Sequence, residues 1–279
     1  MKFAKLEGLG NDFIVTHEVT EADIPALRQR APLLCDRRRG VGADSLILVL
    51  PPTSPAADFQ MRTINADGSE AEMCGNGVRC LALYVNRAGL TDKAALAVET
   101  RAALIQTART GDQVRVDMGR PILGAERIPT ARRGGRVLME PVRVEGRTFA
   151  VTAVSMGNPH AVIYADDLTD DLVLGFGPKL ERHPFFPNRT NVEFVRVLSE
   201  SAIQVRVFER GCGETAACGT GACASVVAGV LTQQHGHRVT VHLKGGDLLV
   251  EWDGDPAHPV FMTGPARWVF AGEIEIGVG

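Results

Sequence analysis

The segment EAEMCGNG, Glu70 to Gly77, returns later in the chain as ETAACGTG, Glu214 to Gly221. Both read E-x-x-x-C-G-[NT]-G, and an apolar stretch with helical spacing follows each. Four shared letters carry little weight alone. Two more markers repeat in the same order: Gly10-Asn11-Asp12 answers to Gly157-Asn158-Pro159 at a similar distance ahead of the cysteine, and Asn65 answers to Glu209, each nine residues ahead of it. Three markers in one order argue for a duplicated unit, on a period far longer than a solenoid repeat. The expected fold class is α/β of the α+β kind. Two pseudo-symmetric domains, each a β-rich layer or barrel-like sheet around a central helix, would face each other across a cleft that holds the active site.

The rest of the chain fits that picture. Short runs rich in β-branched and alternating residues predict strands at Phe13–Thr16, Ser45–Leu50, Phe59–Ile64, Val114–Met118, Ala161–Ala165, Asn191–Val197, Ile203–Phe208, Val239–Leu243 and Leu248–Trp252. Lys244-Gly245-Gly246-Asp247 reads as a hairpin turn between the last two. Helices are predicted at Val78–Ala88, closed by Gly89, at Ala222–Gln234, and more weakly at Glu21–Arg30. A strand-like run from Arg267 to Ile276 would return to complete the first domain. The domains expected are therefore residues 1–118 with 264–279, carrying Cys74, and residues 119–263, carrying Cys218.

With 279 residues, 45% of them hydrophobic, the chain can bury one large core or two ordinary ones. Thirty basic and 33 acidic side chains leave a net charge of −3, so nothing favours nucleic acid or an anionic membrane as partner. The basic clusters Arg37-Arg38-Arg39 and Arg132-Arg133 read as solvated faces. No signal peptide and no apolar run long enough to span a membrane is legible, which points to the cytoplasm. There, six cysteines would be kept as thiols.

Each repeated cysteine immediately precedes Gly-x-Gly and a helix. The unpaired N–H groups and the positive end of a helix dipole favour an anion at that place, a thiolate or a substrate carboxylate. A thiol there is expected to have a lowered pKa, so that thiol and thiolate are both accessible near neutrality. That suits general acid–base work. Two such thiols on opposite sides of one Cα can invert a stereocentre, one removing the proton and the other delivering one to the far face. Cys80 and Cys223 fall on the ensuing helices, and Cys35 and Cys212 have no counterpart, so packing roles are expected for those four. The C-x5-C and C-x5-C-x4-C spacings lack the close pairs of structural zinc, and no metal site is expected. Neither repeated cysteine lies in a C-x-x-C redox motif.

The stretches Gly8–Phe13, Asn65–Glu70, Met73–Cys80, Met156–His160, Thr190–Phe194, Glu209–Thr215 and Ala217–Gly221 together resemble diaminopimelate epimerase, in family order over nearly the whole chain. The resemblance implies interconversion of LL- and meso-2,6-diaminopimelate, no pyridoxal phosphate or other cofactor, a small-molecule substrate as partner, and commonly a homodimer. Carried over by motif, Cys74 and Cys218 are the acid–base pair. Gly75 and Asn76, with Gly219 and Thr220, give backbone N–H groups to the reacting carboxylate. Asn11, Asn65, Asn158, Asn191, Glu209 and Arg210 are implied to bind substrate. A guanidinium suits the distal carboxylate, and a carboxylate with amide oxygens suits the ammonium groups. His160 is implied to support the reacting thiol.

Two positions depart from the family pattern. Ser45 stands where many members carry glutamine, and its shorter side chain needs a bridging water to reach substrate. Glu7 stands where many carry histidine. The alternative reading is proline racemase or hydroxyproline epimerase, which share the fold and the two-thiol chemistry but bind a monocarboxylic imino acid. Arg210 beside Glu209, with the four asparagines, favours a substrate that has a second charged end. A relative that binds amino acids without catalysis is opposed by the presence of both cysteines.

Overall fold

The computed structural model describes residues 1–275. The chain divides into two compact units, Met1–Val116 together with the chain from Thr263 onward, and Asp117–Met262. In order, the elements are β1 (Lys2–Gly8), β2 (Asn11–Thr16), α1 (Ile24–Leu34), β3 (Ser45–Leu50), β4 (Phe59–Asn65), β5 (Glu70–Ala71), α2 (Gly75–Arg87), β6 (Ala95–Glu99), β7 (Leu104–Thr110) and β8 (Gln113–Asp117). They continue as β9 (Glu140–Val144), β10 (Arg147–Ser155), β11 (Pro159–Tyr164), α3 (Gly177–Glu181), β12 (Asn191–Ser199), β13 (Ala202–Glu209), β14 (Gly213–Glu214), α4 (Gly219–Leu231), β15 (Arg238–Leu243), β16 (Gly246–Glu251), β17 (Phe261–Pro265) and β18 (Arg267–Glu273).

Strand pairing repeats from one unit to the other. In the first unit β1 and β2 form a hairpin, β2 runs parallel to β3, β3 antiparallel to β4, β4 parallel to β6, and β6 antiparallel to β7. In the second unit the same relations join β10 to β11, β11 to β12, β12 to β13, β13 to β15 and β15 to β16. The returning strand β18 pairs antiparallel with β1. Ile276, the last residue of the expected C-terminal strand, lies outside the described residues.

Each unit encloses one helix. From Asn76 to Val85 every residue of α2 is buried, and from Gly221 to Gly229 every residue of α4. A helix covered on all sides belongs in a core. Helix α2 packs against β1, β2 and β18, and α4 against β10, β11, β12 and β16. Strand β3, SLILVL, is buried at all six positions. Its Leu46, Leu48 and Leu50 join Ile14, Leu27 and Ile64 in a cluster with α1, while Ile47, on the opposite face, turns toward α2.

Helices α2 and α4 begin three residues earlier than the sequence predicts. Glycine is a poor helix former, so Gly75 and Gly219 read as loop, but the cysteine before each acts as N-cap and draws the first turn in. Helix α4 ends at Leu231 rather than Gln234, because Gln233 takes a left-handed φ of 56°. Helix α1 runs later than predicted, with Pro32 inside it. Among the described residues no helix is long and apolar enough to cross a membrane.

Candidate active site

The two motif cysteines have the same local structure. Cys74 (φ −139°, ψ 108°) caps α2, and its Sγ accepts the N–H of Gly77 at 3.3 Å. Cys218 (φ −126°, ψ 110°) caps α4 and accepts the N–H of Gly221 at 3.4 Å. A sulfur thus stands where an N-cap oxygen usually does, and the first two helical N–H groups, of Gly75 and Asn76 or of Gly219 and Thr220, have no carbonyl within the helix. Together they make two anion-favouring helix starts, each with a thiol at its tip.

An ion pair fixes each loop that carries a cysteine. Glu70 of β5 pairs with Arg62 of β4, and Glu214 of β14 pairs with Arg206 of β13 at 2.7 Å. In both halves the arginine stands eight residues before the motif glutamate. The guanidinium holds each carboxyl below the usual range, although burial of Glu214 opposes this. The first letter of the motif is therefore a clamp, which presses a two-residue strand onto its neighbour and presents the cysteine beyond it.

Around Cys74 the polar groups form a chain. Arg79, fully buried, donates from Nη2 to Asn76 Oδ1 at 3.0 Å and from Nε to the Pro265 carbonyl at 3.2 Å. Asn76 Nδ2 donates to Asn11 Oδ1, and Asn11 Nδ2 donates to Asp44 at 3.2 Å. Arg37 bridges Asp44 and Asp12, and buried Lys5 contacts Asp12 at 2.7 Å. These cations hold the Asp12 carboxyl down at about 2 against the effect of its burial. Ser45 Oγ donates to Asn65 Oδ1 at 3.3 Å, and Asn65 Nδ2 to Ser69 Oγ at 2.9 Å. Glu7 accepts the Gly10 N–H in the β1–β2 turn, where Leu9 and Gly10 both take positive φ.

Around Cys218 the set differs. Thr220 Oγ1 lies 3.4 Å from the sulfur. His160, fully buried on β11, contacts Glu193 of β12 through Nδ1 at 2.7 Å and Asn158 Oδ1 through Nε2 at 2.9 Å. Asn191 is also buried: it donates to the Pro159 carbonyl at 3.0 Å and accepts the Arg210 N–H at 2.9 Å, joining β11 to the turn after β13. Glu209 accepts from Thr215 Oγ1 at 2.5 Å, and Arg210 reaches the Asn188 carbonyl at 3.4 Å.

The expected lowering of the thiol pKa does not hold for Cys218. Burial pushes this thiol well above its ordinary value, and the carboxylate of Glu209 pushes it further; bonds from Thr220 and Gly221 oppose them weakly. Desolvation of a charge outweighs two hydrogen bonds. Cys80 and Cys35 are buried and shifted upward by the same cause, as packing thiols should be, Cys35 to about 11, whereas Cys212 is exposed and does not take the packing role expected of it. Among the described residues no three His, Cys, Asp or Glu side chains are placed to hold a metal ion.

Comparison with known proteins decides the family. The diaminopimelate epimerase profile matches residues 3–124 and 152–269. The chain is 54% identical to a diaminopimelate epimerase of Desulforudis audaxviator over 98% of this chain and 99% of that one. It is 51% identical to that of Moorella thermoacetica, over 99% and 100%. The chain belongs to the diaminopimelate epimerase family. A hydroxyproline epimerase from Agrobacterium vitis, with bound trans-4-hydroxy-L-proline, superposes with a TM-score of 0.71 over 98% of this chain and 91% of that one. At 15% identity it shares the fold.

Sequence reading of this diaminopimelate epimerase family member missed four side chains that surround the two helix starts: Arg62, Arg79, Glu193 and Arg206. A signal existed for Glu193, the one acid in the apolar strand Asn191–Val195, and for Arg79, the one cation in the buried stretch of α2. The clamp arginines lie on alternating strands whose charged positions read as solvent-facing.

Proposed function

We propose that this protein interconverts LL- and meso-2,6-diaminopimelate without a cofactor, by two-base thiol chemistry, in the supply of lysine and peptidoglycan precursors. The observation that supports it best is the pair of helix starts, each capped by a cysteine sulfur with the same backbone geometry. One sulfur, as thiolate, takes the proton from Cα; the bonding pair moves into the neighbouring carboxylate; the other sulfur, as thiol, gives its proton to the opposite face. The first thiolate ends as thiol and the second as thiolate, so the reverse reaction exchanges their roles. Cys218, buried and shifted upward, suits the donor's part in the direction in which Cys74 takes the proton.

The carbanion next to a carboxylate needs charge stabilisation. In this reading the free N–H groups of Gly75, Asn76, Gly219 and Thr220 supply it to the reacting carboxylate. Asn11, Asn65, Asn158, Asn191, Glu209 and Arg210 take the amino-acid groups of substrate, with Ser45 acting through Asn65 and His160 in support. Arg210, whose guanidinium has one weak carbonyl contact, is suited to the distal carboxylate. We place the enzyme in the cytoplasm as a homodimer.

The deciding experiment is exchange in D2O. Reduced enzyme is incubated with LL-diaminopimelate, and separately with L-proline, and Cα deuterium is followed by NMR. Deuterium in diaminopimelate together with meso product is expected. Exchange into proline alone would move the protein to the proline racemase group, and exchange into neither would end the two-thiol reading.

A further inference from the structure

The strand registers align the two half-sites residue by residue. Phe13 pairs with Ser45 across β2 and β3 as His160 pairs with Asn191 across β11 and β12. Two residues on, Ile47 of β3 therefore matches Glu193 of β12. Both lie beneath the first turn of the central helix: a Cβ on Gly77 would come 3.0 Å from Ile47 Cδ1, and a Cβ on Gly221 2.7 Å from Glu193 Oε1. One half fills this place with Phe13 and Ile47, both fully buried, and the other with His160 and Glu193, whose side chains have no exposed surface. The fold thus accepts an apolar pair here, yet the second half carries a buried carboxyl whose Oε2 has no hydrogen-bond partner. Such a group is costly unless something is gained by it.

The gain is direction. Asn158 Oδ1 is an acceptor, so the imidazole Nε2 facing it carries a proton. The other ring nitrogen shares a single proton with Glu193, and the pair is neutral whether that proton sits on oxygen or nitrogen. Burial pushes the Glu193 carboxyl upward, which favours the proton on oxygen, and it leaves Oε2 as a neutral acceptor. In either arrangement Asn158 must keep its oxygen toward His160. Its Nδ2, which has no partner among the described residues, is left as a donor. We propose that Glu193 is a positioning residue of the epimerisation, acting through His160 to hold the Asn158 amide with its N–H groups turned to the substrate. This rests on the function proposed above.

The test uses the full-length enzyme with LL-diaminopimelate and reads kcat, KM and thermal unfolding. Glu193→Gln, whose amide can donate to Nδ1 as the acid does, is expected to stay within about three-fold of wild type. The double variant His160→Phe/Glu193→Ile, which copies the packing of the first half, is expected to fold and to raise KM about 10-fold or more, the weight of a hydrogen bond to a charged group, with a smaller change in kcat. Unchanged KM in that variant, or a Gln variant as impaired as the double, overturns the proposal. A second reading does not need the double variant to fold: Glu193→Leu is measured alone and in an Asn158→Ala background. Acting through Asn158, it should add little to KM there, and fully additive effects overturn the proposal. No turnover by the wild type would refute the functional reading itself, whereas normal turnover by wild type and variants alike would refute only the role of Glu193.

Discussion

The starts of α2 and α4 share a backbone and differ in nearly everything packed beneath it. Each has a cysteine cap, an N–H···Sγ bond from three residues on, and an Arg–Glu clamp that fixes the loop before it. Below the first half lie Phe13 and Ile47, with buried Arg79 five residues past the cysteine; below the second lie His160 and Glu193, with Cys223 in the place of Arg79. Cap and clamp are common to the two helix starts, and the side chains beneath them are not.

Removing either sulfur is the largest expected effect and the harshest test of that likeness. Cys74→Ala and Cys218→Ala should each lower kcat for epimerisation by about 10²–10⁴-fold, the range of a lost general acid or base. The stability costs should differ: Cys218 is buried and its loss leaves a void, whereas Cys74 is only partly buried. Steady-state turnover with urea unfolding checks both. Near-normal turnover in either variant would separate the two halves as catalytic partners.

The sequence carried the frame and hid the interior for physical reasons. The duplicated motif with its flanking asparagine and its marker nine residues upstream was enough for two β-rich units around central helices, since spacing in sequence survives divergence. The pairing of His160 with Glu193 was not legible, because it depends on a parallel register between β11 and β12, strands joined through a long connection. The Cys218 environment was misread for a related reason: a helix start lowers a thiol pKa, but burial raises it, and only burial in three dimensions tells which is larger. Helical turns at α3 went unseen because Gly177 and Pro178 read as breakers, and Ala-rich β6 has little strand propensity of its own.

A smaller effect sharpens the contrast five residues past each cysteine. Arg79→Met leaves Asn76 Oδ1 and the Pro265 carbonyl short of a donor inside the first unit. Charged hydrogen bonds of this kind put the loss at about 3 kcal/mol or more. It should also raise KM, since Asn76 is no longer held. Cys223→Val, near in volume, should cost less than about 1.5 kcal/mol and leave KM unchanged. Equal urea midpoints for the two variants would mean that the arginine is not what holds the first turn of α2.

The smallest effect lies in the sign of the pH dependence. Asp12 is held down from its ordinary 3.8 to about 2 by Arg37 and Lys5. Its contribution is therefore complete above about pH 3.8 and is lost as the pH falls through 2. The Asp12 side chain is 17% exposed and its partner Arg37 58%, so screening limits the effect to about 1 kcal/mol or less. Glu193 is shifted the other way by burial, so its contribution is complete below its ordinary 4.5 and is withdrawn as the pH rises toward its folded value. Urea midpoints measured from acid to neutral pH should then show Asp12→Asn flattening the acid limb of the wild-type curve, while Glu193→Gln gains on the wild type as the pH rises. Slopes that change in the same direction for both variants would show that the surroundings of the two helix starts do not differ in charge in the way their side chains require.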